Sequence, residues 1–111
     1  MASIEFESLH SDQLIDLLKT LHATGFIHRD IKPDNIMVGC RQPSIIYLVD
    51  FGISKVYRDK KRNHISKMND MGFVGTRLFA SPNAHFMITQ SRRDDLISLG
   101  YTLIYLDWFS K

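Results

Sequence analysis

The sequence predicts an α+β fold, and three features of the chain predict it. An amphipathic helical pattern comes first. Two short apolar stretches flanking a polar turn suit a small β-hairpin. A second, almost wholly apolar helical stretch closes the 111 residues.

Residues 1–10 carry no clear periodicity and read as an irregular lead-in. From Asp12 to Thr24, Leu14, Leu17, Leu18 and Leu21 recur at i, i+3, i+4 and i+7, which is one face of a helix. Ser11 suits its N-cap and Gly25 its C′ position. Pro33 is expected to hold the following loop extended and deny it a helix. Ile36-Met37-Val38 reads as a short strand, residues 39–44 as a turn, and Ile45-Ile46-Tyr47-Leu48-Val49 as a buried strand. The hairpin so formed would set Asn35 and Asp50 at adjoining ends.

Residues 53–90 read as mostly irregular, with a short strand at Ile53–Tyr57. A connection this long and loop-like is usually functional or disordered. Ser91-Arg92-Arg93-Asp94 has the form of a helix start. From Leu96 to Leu106 the helix that follows is apolar on nearly every side, which predicts central burial. Trp108 and Phe109 would then leave apolar surface exposed at its end.

Composition narrows the function classes. An apolar fraction of 44% and a charged fraction of 23% fit a soluble globular protein, in one domain or part of one. A net charge of +2 is too small to argue for nucleic acid or an anionic membrane as partner. The one cysteine, Cys40, excludes an intrachain disulfide, and no zinc-binding spacing occurs. A cytoplasmic or nuclear setting is the expectation. No signal peptide and no stretch of membrane-spanning length is visible. Oligomeric state is not legible.

Chemistry-bearing residues concentrate in two runs. His28-Arg29-Asp30-Ile31-Lys32-Pro33-Asp34-Asn35 follows the first helix, and Asp50-Phe51-Gly52 follows the second predicted strand. Together they resemble the catalytic loop and metal-binding turn of protein kinases. Either tripeptide alone is a weak signal. The full run, leading through an apolar strand into Asp-Phe-Gly, is specific.

Phosphoryl transfer asks a protein mainly for positioning and charge neutralisation. The resemblance implies that Asp30 is the catalytic base, accepting the proton of an attacking hydroxyl. It implies that Lys32 contacts the phosphoryl oxygens of ATP. Asn35 and Asp50 would be the Mg²⁺ ligands, as oxygen donors suited to that hard cation. Gly52 would let the chain turn sharply after Asp50. His28 is read as structural, packing near Phe51.

Further stretches are similar to the casein kinase 1 family of serine/threonine kinases. They are Tyr57-Arg58-Asp59, Gly75-Thr76, Ala80-Ser81, Asn83-Ala84-His85 and Gln90-Ser91-Arg92-Arg93-Asp94-Asp95-Leu96, then Ser98-Leu99-Gly100-Tyr101. The resemblance covers residues 12–107. It implies transfer of the ATP γ-phosphate to serine or threonine of protein substrates, and a bracing role for Asp95 under the catalytic loop. Residues 53–90 would be the activation segment. Two positions depart from the family. Pro82 replaces an isoleucine, and Leu78 stands where an arginine helps hold an acidic or phosphorylated substrate group. The basic run Arg58-Asp59-Lys60-Lys61-Arg62 has two readings, a solvated loop tip or an attractor of acidic substrates. Phe73, Phe79 and Phe86 are expected to pack the segment, and Cys40 has no catalytic role.

The six glycines at 25, 39, 52, 72, 75 and 100 form no Gly-x-Gly-x-x-Gly, and no strand lysine precedes the catalytic loop. The expectation is therefore a partial kinase domain over 1–111, a truncated C-terminal lobe. The glycine-rich N-lobe and the last C-lobe helices would be absent, and the chain alone would have little or no activity. The alternative is a non-catalytic kinase-like binding module or decoy.

Overall fold

The computed structural model describes residues 3–69 and 72–109. The chain opens with α1 (Ser3–Ala23). β1 (Phe26–Ile27) pairs antiparallel with β4 (Lys55–Val56). β2 (Ile36–Val38) pairs antiparallel with β3 (Ile46–Leu48), Ile36 opposite Leu48. One-turn α2 (Pro82–His85) and long α3 (Arg92–Phe109) complete the order. No helix among the described residues is long and apolar enough to cross a membrane.

The first helix corrects the expectation for the lead-in. It begins at Ser3, so Ser11 lies inside it and not at its N-cap. Residues 3–10 hold no glycine or proline. Once the leucine face downstream nucleates a helix, each further residue adds a hydrogen bond at low cost. The other end is as the sequence predicts. Gly25 takes φ +93° and its N–H donates to His22 O at 3.0 Å. The Tyr57 hydroxyl donates to the same carbonyl at 2.6 Å, so the helix end is closed by a residue far along the chain.

Pro33 also differs from expectation. It opens a 3₁₀ turn, Pro33–Asn35. Proline lacks only the N–H that a first-turn residue would leave unbonded, and its fixed φ suits that position. The hairpin forms as predicted, but one face of it is open. Ile46 is buried while Tyr47 is 54% exposed, so β3 is a one-sided strand and not a buried one. Within 53–90, β4 falls inside the predicted strand, and α2 is an unpredicted turn capped by Ser81, whose Oγ accepts the Ala84 N–H. Phe79 is buried edge-on to Tyr105, but Phe86 is 74% exposed and packs little.

α3 starts as predicted. The Asp94 carboxylate accepts the Ser91 N–H at 2.7 Å, and the Asp94 N–H donates to Ser91 O. Its burial is one-sided, contrary to the expectation of a central helix. Ser98, Leu99 and Thr102 face inward, whereas Leu96 and Ile104 are exposed, and Trp108 and Phe109 leave the open apolar surface expected at its end. An all-apolar helix needs cover on every side, and the described residues cover one. The core gathers Leu14 and Leu18 of α1, Ile36 and Ile46 of the hairpin, Leu99 of α3, and Ile31 from the loop between β1 and β2. Among these, Ile31 is the one core residue that comes from a loop. It pins the loop to the core, and its neighbours Asp30 and Lys32 are left half-buried at the surface.

Candidate active site

The loop over residues 28–35 is braced from beneath by one carboxylate. Asp95, in the first turn of α3 and 1% exposed, accepts the His28 N–H through Oδ2 at 2.8 Å. Its Oδ1 accepts the Arg29 N–H at 2.9 Å. His22 of α1 donates from Nε2 to Oδ2 at 2.8 Å. Two consecutive backbone amides on one carboxylate force a tight bend, and Arg29 takes φ +73° there. Such a conformation is unfavourable for a non-glycine residue and persists only where surrounding bonds hold it. The Arg29 side chain donates from Nε to Ile53 O at 2.6 Å, tying the loop to the segment after Gly52. Burial pushes its guanidinium below the ordinary arginine value, and Asp95 pulls it partly back.

His28 is fully buried and wholly engaged. Its Nδ1 accepts the Asp30 N–H at 3.1 Å, which leaves Nε2 as the protonated nitrogen, donating to Val49 O at 2.9 Å. The Phe51 ring stands edge-on at 5.0 Å between centroids. The histidine thus links the two motifs structurally.

The two loops meet at a hydroxyl. Thr76 Oγ1 donates to Asp30 Oδ1 at 2.7 Å and accepts from Lys32 Nζ at 2.9 Å. Lys32 Nζ lies 3.8 Å from Asp30 Oδ2. Asp30 therefore has Oδ1 fixed by a hydrogen bond and Oδ2 within ion-pairing distance of the Lys32 ammonium. Gly75 allows the approach. It takes φ +123°, and a Cβ there would lie 2.9 Å from Arg29 O. The sequence pointed to Gly75-Thr76 but gave Thr76 no role. A small hydroxyl residue after a glycine was the only local signal, and Asp30 is far away in the chain.

Asn35 and Asp50 stand at neighbouring strand ends. Val49 N–H donates to Asn35 O at 2.9 Å, and Asn35 Nδ2 donates to Asp30 O at 2.8 Å. The side-chain oxygen of buried Asn35 has no donor among the described residues. The turn after Asp50 is built differently from expectation. The left-handed angle belongs to Asp50 itself, at φ +60°, and not to Gly52. Gly52 serves by being small: its N–H donates to Asp50 Oδ1 at 3.3 Å, and a Cβ would crowd that oxygen at 3.2 Å.

The donor set fits a magnesium ion. One carboxylate and one orphaned amide oxygen are hard ligands, which this cation completes with phosphate oxygens and waters. No cluster of three or more His, Cys, Asp or Glu able to cage a metal occurs among the described residues. The basic run forms a tight exposed loop. Asp59 Oδ1 accepts the Lys61 and Asn63 amides at 2.8 and 2.9 Å, and Lys60, Lys61 and Arg62 face solvent. Leu78 is exposed.

A family model for the protein kinase domain matches residues 7–108.

Proposed function

The chain belongs to the protein kinase domain family, and on that premise we propose that it carries the phosphotransfer half of a casein kinase 1-like serine/threonine kinase. The observation that carries this reading is the Asp30–Thr76–Lys32 arrangement beside Asn35 and Asp50. In this reading a substrate serine or threonine hydroxyl approaches Asp30, and its proton passes to Oδ2, the oxygen that Thr76 leaves free. Thr76 holds the carboxylate in one orientation as the oxygen attacks. Lys32, steadied by the same hydroxyl, offers its positive charge to the transferring phosphoryl group. Asn35 and Asp50 would hold Mg²⁺, which when bound neutralises the phosphate oxygens of ATP.

The chain holds no glycine-rich phosphate loop and, ahead of residues 28–35, no strand lysine to grip the α- and β-phosphates. An active kinase needs that lysine–glutamate clamp in place. The isolated chain should therefore bind MgATP weakly and show no measurable turnover. Robust phosphorylation of a serine peptide, abolished by Asp30→Asn, would overturn that part. The metal reading has its own test. Titrated Mn²⁺ should broaden the amide resonances of Asn35 and Asp50 before others, and Asp50→Asn should remove the effect. A non-catalytic binding module, the second reading, draws on the missing glycine-rich loop. It has no use for metal ligands, so an unbroadened spectrum would favour it.

A further inference from the structure

We propose that a groove between α1, the Tyr57–Arg58 segment and the start of α3 docks an acidic peptide that also carries apolar side chains. The groove encloses about 650 Å³, and none of Asp30, Lys32, Asn35 or Asp50 lines it. Its floor is apolar, from Ile15, Leu18 and Leu96. Ile15 and Leu96 are 47% and 48% exposed. Its rim is cationic, from Lys19, Arg58 and Arg92, and among the described residues no carboxylate lines it.

The two arginines are held in place. The Arg58 and Arg92 guanidinium carbons lie 5.5 and 4.9 Å from the centroid of one ring, that of Tyr57. That ring is buried and anchored through its hydroxyl to His22 O. Arg58 also donates to Ala23 O at the end of α1. Among the described residues neither guanidinium has a carboxylate within ion-pairing distance. Two cations gathered around one ring repel each other, and an anion bound at the rim would relieve that. Because both are already positioned, little side-chain freedom is lost when one binds.

Charge and shape select the occupant. A carboxylate-bearing segment answers the rim, and leucine-like side chains answer the floor. A bilayer is flat and cannot follow a concave groove. A nucleic acid strand would want an open aromatic face to stack on, and the Tyr57 ring lies under the arginines while the His22 ring is turned to Asp95. His22, at the base, is turned to Asp95 and adds no free cation.

The test is anisotropy of a labelled peptide of alternating glutamate and leucine, titrated with the 111-residue chain. Saturable micromolar binding that weakens with salt is expected. Arg92→Glu, and separately Lys19→Glu, should weaken it by roughly tenfold or more, since each reverses a charge beside a bound carboxylate. Both side chains are exposed, so circular dichroism should show an unchanged fold. Leu96→Ser should weaken it too, and a polyglutamate of equal length should bind less well. Equal affinity in both charge-reversal variants would overturn the proposal. So would equal binding of polyglutamate. Capture of the chain by phosphatidylserine vesicles or a single-stranded oligonucleotide, with no binding of the peptide, would overturn it as well.

Discussion

Replacing Asp95 by alanine takes the acceptor away from three donors at once: the His28 N–H, the Arg29 N–H and His22 Nε2. His28 is fully buried, so no water takes over at its amide, while Arg29 is half-buried and His22 lines the groove beside α1, so water can reach both. A buried donor left unsatisfied costs about 1–3 kcal/mol. One such donor and two partly relieved ones give about 2–5 kcal/mol. A small domain holds roughly 5–15 kcal/mol in total, so the variant would sit near the edge of folding. Asp95→Asn keeps one oxygen acceptor but turns an NH₂ toward a donor, and should lose about 1–3 kcal/mol. Urea unfolding followed by far-ultraviolet circular dichroism reads this, because α1 and α3 dominate the signal. Trp108 fluorescence is a poor reporter, since that ring is already solvent-exposed. Amide exchange at His28 and Arg29 supplies the local readout. An Asp95→Ala variant within about 1 kcal/mol of the parent, with both amides still protected, would refute the bracing argument.

Three further outcomes follow from the same geometry. Gly75→Ala puts a Cβ 2.9 Å from Arg29 O at a left-handed φ; it should cost about 1–3 kcal/mol by thermal unfolding and displace Thr76 from Asp30, read as changed chemical shifts at both. For Arg29, burial sets the guanidinium below its unfolded value, so its penalty is constant at acid and neutral pH and is relieved only as pH rises toward the unfolded value. Urea midpoints of the parent and Arg29→Met should therefore run parallel from about pH 5 to about pH 8, and diverging slopes would contradict it. Ile104→Glu with Trp108→Glu changes two side chains that are mostly in water; stability should move by less than about 0.5 kcal/mol while light scattering at high concentration falls.

The two motifs were legible because their chemistry needs fixed residue types at short spacing. The hairpin was legible because β-branched apolar residues flank a polar turn, and it puts Asn35 beside Asp50 by simple register. What could not be read was whatever depends on distant residues. Thr76 meets Asp30, and His22 meets Asp95, across long stretches of chain with no local signature. Asp50 rather than Gly52 takes the left-handed angle, since the bend is set by where Val49 and Phe51 are held, by the His28 ring. Apolar periodicity in α3 predicted burial on all sides, but periodicity records what a helix can bury, not which neighbours cover it.

Asp94 and Asp95 explain how two separately folded loops come to share one hydroxyl. They are adjacent, both about 1% exposed, and they serve opposite sides. Asp95 takes the backbone of the loop that carries Asp30. Asp94 takes the Ser81 hydroxyl at 2.5 Å and the Ser91 amide, anchoring the segment that runs on from Thr76. A helix N-terminus favours negative charge, so the first turn of α3 can hold two buried carboxylates that most positions could not. The separation between Asp30 and Thr76 is then set by one rigid helical turn. Neither loop needs internal regular structure for the pair to meet, which accounts for a long, largely irregular segment ending in a 2.7 Å hydrogen bond on the candidate base.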